Sequence, residues 1–225
     1  MSYTKVNWDE NTPISANNLD QMDQGIKNNN EQTQNNSELI AVSRVVPEGA
    51  TFAEIEQIIQ DVHNAGGGSV VFPAGEWEES GTISLVDIQN VAIRGQGQDV
   101  TKIISTNDTS IYIHSNCEDL EVSNCTISGD FGHGLNNSGS NIKISNCTIS
   151  GDDGLYNSGS NIKISNCTIS GDDGIYDTSD STDIADAAYY IGNDVTGGII
   201  INGNAIVADT SSPTYANLNR DELTE

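Results

Sequence analysis

The feature that most constrains this chain is an internal repeat of twenty residues. Residues 141–160 read NIKISNCTISGDDGLYNSGS, and residues 161–180 read NIKISNCTISGDDGIYDTSD. An earlier copy, DLEVSNCTISGDFGHGLNNSGS, spans residues 119–140 and is two residues longer. A period of 20 to 22 residues is typical of stacked units that each contact only their neighbours.

Within one repeat, apolar and polar residues alternate in short runs. Ile142, Lys143 and Ile144 form one run, and Cys147 to Ile149 form the next, after a Ser-Asn corner. Alternation with a period of two predicts strands, here about three residues long. A leucine-rich repeat has a similar length, but it needs several leucines and a helix in each unit. The sequence therefore predicts a coil of short parallel strands, a β-helix.

Equivalent residues in successive turns of such a coil lie about 4.8 Å apart, so their side chains stack in files. The apolar alternation predicts three inward files. They are Val122, Ile144 and Ile164; Ile127, Ile149 and Ile169; and Cys125, Cys147 and Cys167. The cysteines then act as small buried hydrophobic residues. A disulfide between stacked cysteines in an oxidising medium is the alternative.

A further file is predicted at the Ser-Asn corner of each repeat, formed by Asn124, Asn146 and Asn166. Asparagine tolerates the left-handed backbone that such a corner needs. Its side-chain amide can also bond to the amides above and below it. We therefore expect an asparagine ladder at this corner.

Charge limits the partners of the chain. Eight Lys and Arg residues against 33 Asp and Glu give a net charge of -25, which argues against electrostatic binding of nucleic acid or of an anionic membrane. No apolar run reaches the roughly 20 residues that span a bilayer, and polar residues follow Met1, which predicts synthesis in a host cytoplasm without membrane insertion. Because the acidic residues are dispersed, we favour adaptation to molar salt over an acidic interaction tail.

A capped helix precedes the repeats. Thr51 and Glu54 form a capping box, an apolar stripe at helical spacing follows, and Gly66 to Gly68 end the helix. The stripe consists of Ile55, Ile58, Ile59 and Val62. Together with FPAG at 72–75 and NVAIRGQG at 90–97, this passage resembles the start of the pectate-lyase-like superfamily of right-handed β-helices. The resemblance covers about residues 47–207 and implies a helix that caps the open end of the coil. It implies little about activity, because lyases, hydrolases and inert viral spikes share the fold.

The first forty residues differ from the repeats in composition and are rich in asparagine and glutamine. VNWDENTPISANNLDQMDQGI, at 6–26, resembles the amino-terminal segment of tailed-phage fibre and baseplate proteins, which carries a Trp, a TPL and an ANLN. The residues in those places are Trp8, Thr12, Pro13, Ile14 and Leu19. The resemblance implies that residues 1–18 dock into other virion proteins.

A seam at alternating spacings of three and four follows this segment. It consists of Leu19, Met22, Ile26, Asn29, Thr33, Asn36 and Ile40. This is the a/d pattern of a coiled coil with polar middle layers, which commonly set strand number and register. We expect residues 19–46 to form a trimeric helical stalk, with a disordered Asn-rich linker as the alternative.

The repeated GDDG raises the question of catalysis. Polygalacturonases, which share the fold, carry a GDD segment and a later GHG segment, and two carboxylates can act as acid and base on a glycosidic bond. Here GHG at 132–134 precedes both GDD copies. Duplicated sequence also predicts duplicated environments, whereas an acid and a base need different ones. We therefore expect no catalytic residue, and we expect His133 to be an exposed loop residue.

Solvated corners, or a file of aspartates that binds calcium or another cation, are the remaining interpretations of GDDG. The candidate contacts for a glycan or a cation are Asp130, Asp152, Asp153, Asp172, Asp173, Tyr156 and Tyr176. No cofactor is predicted otherwise. The two tyrosines are expected to stack on the outside of the coil.

These observations predict an all-β protein: a right-handed parallel β-helix with an N-terminal capping helix, preceded by the trimeric coiled-coil stalk. The expected domains are the docking segment 1–18, the stalk 19–46, the β-helix 47–207 and a polar tail 208–225. The expected role is a homotrimeric appendage on the virion of a tailed virus of a halophilic host. Its β-helix would contact a host surface glycan or surface-layer protein. The alternative is a polysaccharide hydrolase or lyase of the same superfamily.

Overall fold

The computed structural model describes residues 42–179 and the strand segments 189–201, 204–207 and 214–219. The chain divides into two units, Met1–Ile40 and Ala41–Glu225, and every described residue lies in the second. The predicted docking segment and the predicted seam, including Trp8 and Leu19, lie outside the described residues. Trimerisation and virion docking therefore stay predictions from sequence.

The described residues form one α-helix and eighteen strands. The helix, α1, spans Phe52–Asn64. The strands are β1 (Val42–Val45), β2 (Gly68–Val71), β3 (Gly75–Glu79), β4 (Ile83–Leu85), β5 (Val91–Arg94), β6 (Thr101–Ser105), β7 (Ile111–Ile113), β8 (Glu121–Ser123), β9 (Thr126–Gly129), β10 (Leu135–Asn137), β11 (Lys143–Ser145), β12 (Thr148–Ser150), β13 (Asp153–Asn157), β14 (Lys163–Ser165), β15 (Thr168–Asp177), β16 (Tyr189–Ile201), β17 (Asn204–Val207) and β18 (Thr214–Asn219). Up to β14 each strand has three to five residues, as the alternation predicts.

The strands stack into three parallel ladders. The first ladder contains β1, β2, β5, β8, β11, β14 and the start of β16. The second contains β3, β6, β9, β12, the start of β15 and the middle of β16. The third contains β4, β7, β10, β13 and the ends of β15 and β16. The described residues thus form a parallel β-helix of about six turns with one short helix, which confirms that part of the predicted architecture.

The strand register places the repeats directly above one another. Val122 lies opposite Ile144, and Ile144 lies opposite Ile164. This file and the Ile127 file are completely buried, as predicted. Burial of one such aliphatic side chain stabilises the fold by about 1.5 to 3 kcal/mol. Each added turn therefore brings its own share of the core.

The cysteine file is confirmed as a buried hydrophobic stack. All four cysteines are free and buried, and the Sγ atoms of Cys125 and Cys147 lie 3.8 Å apart. Hydrogen bonding with Cys125, and then burial, raise the pKa of the Cys147 thiol above its usual range. The Cys147 thiol therefore stays protonated, and the buried cysteines of the file pack as small apolar side chains.

The predicted asparagine corner is confirmed in its backbone and differs in its side chains. Asn124, Asn146 and Asn166 have φ angles of 58°, 53° and 53°. The hydrogen bonds between turns at this corner are made by the backbone, with Asn124 N–H donating to Ser145 O at 3.1 Å. The ladder of asparagine amides expected here lies at another position of the repeat.

That amide ladder is buried inside the third ladder. Asn137 Nδ2 donates to Asn157 Oδ1 at 2.8 Å, and Asn157 Nδ2 donates to Asp177 Oδ1 at 3.0 Å. Asn137 Oδ1 also accepts from Gly139 N–H at 3.1 Å. All three side chains are fully buried, and these hydrogen bonds give their polar groups partners in the same or the next turn. Stacking of equivalent residues thus satisfies polar groups that would otherwise be costly to bury.

Helix α1 closes the first turns of the coil. Thr51 and Glu54 form both hydrogen bonds of the capping box, as the sequence predicts. Ile55, Ile59 and Val62 are fully buried and belong to the same core cluster as the inward files. No helix in the described ranges is both long enough and apolar enough to cross a bilayer.

Two boundaries differ from the prediction. Val42–Val45, assigned to the helical stalk, form the first strand of the first ladder, paired with β2. Thr214–Asn219, assigned to the polar tail, form β18, which pairs with β16 in the antiparallel direction, as β17 also does. The last turn of a coil leaves a row of backbone groups without partners, and returning strands cover such an edge. The sequence pattern of the tail carried no sign of this.

The buried amide ladder allows a test on two adjacent residues of β10. Asn137→Ala removes the bonds to Asn157 and Gly139, so we expect the free energy of unfolding in urea to fall by about 1 to 3 kcal/mol. Asn136→Ala, on the outer face of the same strand, should change it by less than about 0.5 kcal/mol. Equal effects of the two substitutions would contradict the structural role of the ladder.

Candidate functional site

The repeat is interrupted where its first copy carries two extra residues. The corner between β9 and β10 reads Asp130-Phe131-Gly132-His133-Gly134, and we call residues 130–134 the insertion. Asp130 N–H donates to Ser105 O at 2.9 Å, and His133 N–H donates to Thr109 Oγ1 at 3.2 Å. The turn below thus holds both ends of the insertion.

The turn above holds the insertion as well. Asp152 N–H donates to Gly132 O at 2.8 Å, and Gly134 N–H donates to Asp153 O at 3.2 Å. The glycines are needed because the backbones approach closely: a Cβ on Gly132 would lie 2.6 Å from Thr109 N. The insertion is therefore a fixed platform rather than a free loop.

This platform holds an apolar ring in solvent. Phe131 is 72% exposed, more than any other large hydrophobic residue that the structure describes. Sequence analysis missed it as a site residue. A signal was present, because Phe131 stands where the later repeats have the second aspartate of GDDG.

His133 lies between a carboxylate and a tyrosine. Its Nδ1 is 3.1 Å from Asp153 Oδ2, and its ring stacks on that of Tyr156 with centroids 4.9 Å apart and an interplanar angle of 25°. The Asp153 approach is within ion-pair distance, and His133 Nδ1 has no hydrogen-bond partner among the described residues. The His133 side chain is 25% exposed, so the prediction of an exposed loop residue is wrong. The fixed insertion turns the ring back onto the coil.

Asp153 has an environment of its own. Burial is the main cause that raises its pKa; the nearby His133 opposes this shift, and Asp173, in register on the next turn, adds to it. His133 belongs to the insertion, which the later repeats lack. The repeated aspartates are therefore not equivalent, contrary to the expectation of duplicated environments.

The tyrosines extend this site along the outside of the third ladder. Tyr156 and Tyr176 stack with centroids 5.6 Å apart and an interplanar angle of 12°, which confirms the predicted stack. The same outward register runs down through Asn136, Tyr112 and Ser84. We call these five residues the outer strip. Its four steps of about 4.8 Å give a length of about 19 Å.

The outer strip ends in a second polar group. The Tyr112 ring lies against that of His114, with centroids 4.1 Å apart. His114 Nε2 lies 2.9 Å from Ser84 Oγ. Rings within the strip cover one another, since Tyr156 stacks on Tyr176 and Tyr112 lies against His114. A free aromatic face is supplied by Phe131.

The predicted aspartates gather at the corner that precedes the third ladder. Asp172 N–H donates to Asp152 O at 2.5 Å, so these two lie on adjacent turns. Asp130, Asp152 and Asp172 are exposed, whereas Asp153 and Asp173 are half-buried. The structure thus brings together all the residues that the sequence predicted as glycan or cation contacts.

The described part of the chain contains no group of three or more His, Cys, Asp or Glu side chains placed to hold a metal ion. Calcium binding by the aspartate file therefore stays a prediction from sequence. A separate shallow groove lies near the N-terminal end of the described region, between the Pro47–Ala50 turn and the exposed face of α1. None of the predicted site residues lines it.

The fold and this edge define a parallel β-helix protein with an aromatic and acidic outer face. Residues 84–217 match the model of a family described as "Protein of unknown function (DUF3737)", and because the match covers more than half of the sequence, the chain belongs to this family. No curated protein matches the sequence. A solved structure described as "Crystal structure of Agl-KA catalytic domain" is similar with a TM-score of 0.41 and 17% identity, over 69% of this chain and 37% of that chain.

The causes of the raised Asp153 pKa can be tested with two substitutions that should change this pKa in opposite directions. His133→Gln removes a neighbour that lowers the Asp153 pKa, so the pKa should rise. Asp173→Asn removes a negative charge that raises it, so the pKa should fall. Carboxyl carbon shifts measured by NMR as pH is varied would report both changes. Asp99→Asn, at another corner, is the control that should leave the Asp153 pKa unaltered, and shifts of the same sign in the two variants would contradict the assignment.

Proposed function

We propose that this β-helix binds an extended glycan along the outer strip and the insertion. The observation that carries the proposal is Phe131, an aromatic ring 72% exposed on a backbone fixed from both sides. An exposed phenylalanine adds nothing to the core of its own chain. Aromatic residues, phenylalanine among them, are enriched at recognition surfaces relative to the rest of a protein surface.

The groups around Phe131 suit a sugar polymer. Binding sites for small polar ligands combine aromatic surface with a few placed polar groups that fix orientation. Here the Phe131 face supplies the aromatic surface, and the His133–Asp153 pair and the Tyr156 hydroxyl supply polar groups. A straight strip that repeats at about 4.8 Å matches a polymer better than a single small molecule.

The N-terminal sequence supports a further proposal about the setting of this binding surface. We propose a trimer that carries the β-helix outward from a virion of a tailed virus, docked through residues 1–18. The support is the fibre-like segment around Trp8 and the a/d seam from Leu19 to Ile40. In that setting the glycan belongs to the host surface.

Removal of the exposed ring tests glycan binding. Phe131→Ala should weaken binding of a retained polysaccharide about 10-fold, or about 1.4 kcal/mol, as measured by isothermal titration calorimetry after a screen by affinity electrophoresis. Val100→Ala is the matched control, because Val100 is 46% exposed at a corner between the first and second ladders. Unchanged affinity in Phe131→Ala, or a wild-type protein that retains no polysaccharide, would refute the proposal.

A second candidate function is cleavage of the bound glycan. Asp153 favours it, since a carboxyl group whose pKa is raised by burial keeps its proton closer to neutral pH and can protonate a leaving oxygen. Asp173 lies one turn above, about 4.8 Å along the coil. This backbone spacing favours a separation of the two carboxyl groups near the roughly 5 to 5.5 Å of retaining glycosidases over the wider inverting spacing.

Cleavage is tested by its products. If Asp153 is the acid, Asp153→Asn should reduce the release of reducing ends from a bound polysaccharide at least about 100-fold, while Asp99→Asn leaves it unchanged. Calorimetry on the same variants separates lost cleavage from lost binding. A wild-type protein that binds but releases no reducing or unsaturated ends would exclude the enzyme and leave the binding function in place.

A further inference from the structure

The corner beside the outer strip concentrates negative charge. Six aspartates lie there on the coil, from the turn before β7 to the middle of β15. They are Asp108, Asp130, Asp152, Asp153, Asp172 and Asp173. They share this edge with Phe131 and His133, which form the proposed contact surface.

Lysine and arginine are excluded from the same edge among residues 42–179. Arg44, Arg94, Lys143 and Lys163 lie on the first ladder, and Lys102 lies on the second. Arg94 is paired with Glu121 at 3.2 Å and Lys102 with Glu76 at 3.4 Å. The third ladder and the corner before it therefore carry no permanent positive charge in that range. His133 already faces Asp153.

We propose that the glycan bound at this site carries no negative charge and is a neutral or amine-bearing polymer rather than a polyuronate. The inference rests on the proposed glycan-binding function and names the class of its ligand. A polyuronate would bring a carboxylate to the aspartate corner with every sugar, and like charges in contact oppose binding. Physiological salt weakens this repulsion without removing it, because the contacts are shorter than the Debye length of about 8 Å.

The aspartate corner should favour binding of polymers that carry amines, just as it disfavours binding of polyuronates. A protonated amine donates charge-assisted hydrogen bonds to carboxylates, and these are about twice as strong as neutral ones. Exposed Asp130, Asp152 and Asp172 are accessible for such bonds. The expected order of affinity is therefore amine-bearing, then neutral, then acidic.

Pairs of polymers that differ in charge but not in backbone provide the test. The probes are methyl-esterified and free polygalacturonan, hydroxyethyl and carboxymethyl cellulose, and glucosamine and N-acetylglucosamine oligomers. We expect the full-length protein at pH 7 to bind the less negative member of each retained pair at least about 10-fold more tightly, as measured by calorimetry at low salt. The ratio should shrink as salt rises.

Two triple variants with the same change in net charge locate the effect. Asp130→Asn, Asp152→Asn and Asp172→Asn together should reduce the discrimination against the acidic members several-fold. Glu48→Gln, Glu78→Gln and Asp99→Asn, all exposed and away from the third ladder, should leave it unchanged.

The outcomes separate the two claims. Equal or tighter binding of an acidic member, or equal effects of the two triple variants, would overturn the charge preference while glycan binding stands. A wild-type protein that retains none of the six polymers would overturn the proposed function, and the charge preference with it.

Discussion

Every part of this structure depends on the hydrogen-bonded register between one turn of the coil and the next. The backbone of Ile144 pairs with that of Ile164, and once this register is fixed, every equivalent side chain must stack at the same spacing. Such a stack repeats the side chain of one position along the length of the coil. An isoleucine becomes a continuous core and an asparagine becomes a chain of satisfied amides. An exposed charge or aromatic residue becomes an edge of uniform chemistry.

The same constraint explains why chemistry is expected where the repetition fails. Identical turns give identical neighbours, and carboxylates with identical neighbours cannot divide the roles of acid and base. The insertion ends this equivalence, because it places His133 against Asp153 and replaces an aspartate with Phe131. The glycines of the insertion allow its backbone to lie within hydrogen-bonding distance of both adjacent turns. The backbone of the insertion is therefore held by hydrogen bonds to its neighbours, as the backbone of the regular turns is.

Much of the fold could be predicted because its causes are local or periodic. The apolar alternation and the repeat length determine the inward files around Ile144 and the strand length, and the Thr51–Glu54 box determines the start of the helix. The inward Asn137–Asn157 ladder was missed, although the period-two rule places Asn157 on the same face as the buried Leu155. At that position the polarity of asparagine favours the surface, whereas the period of two favours the core.

The site was less predictable, since its contacts join residues that no spacing rule connects. The candidate aspartates and tyrosines were identified from their repetition, and the structure gathers them at one edge. The pairing of His133 with Asp153 depends on how a single unrepeated insertion folds back, which alternation cannot show. The first strand at Val42 and the antiparallel return of β18 depend on the need to cover the ends of the coil, which is a property of the assembled fold.

Charge placement completes the connection between the repeat and the proposed ligand. An overall charge of -25 by itself indicates only an acidic surface, and adaptation to salt would explain it equally at every face. The coil is not equal at every face, because its positive residues in the range 42–179 lie on the first two ladders and are missing from the third. Stacking propagates that difference from turn to turn, so one edge becomes a continuous acidic row beside the exposed ring of Phe131. Adaptation to salt does not explain why lysine and arginine in this range are missing from one ladder only. Selection of the proposed ligand by its charge would explain it.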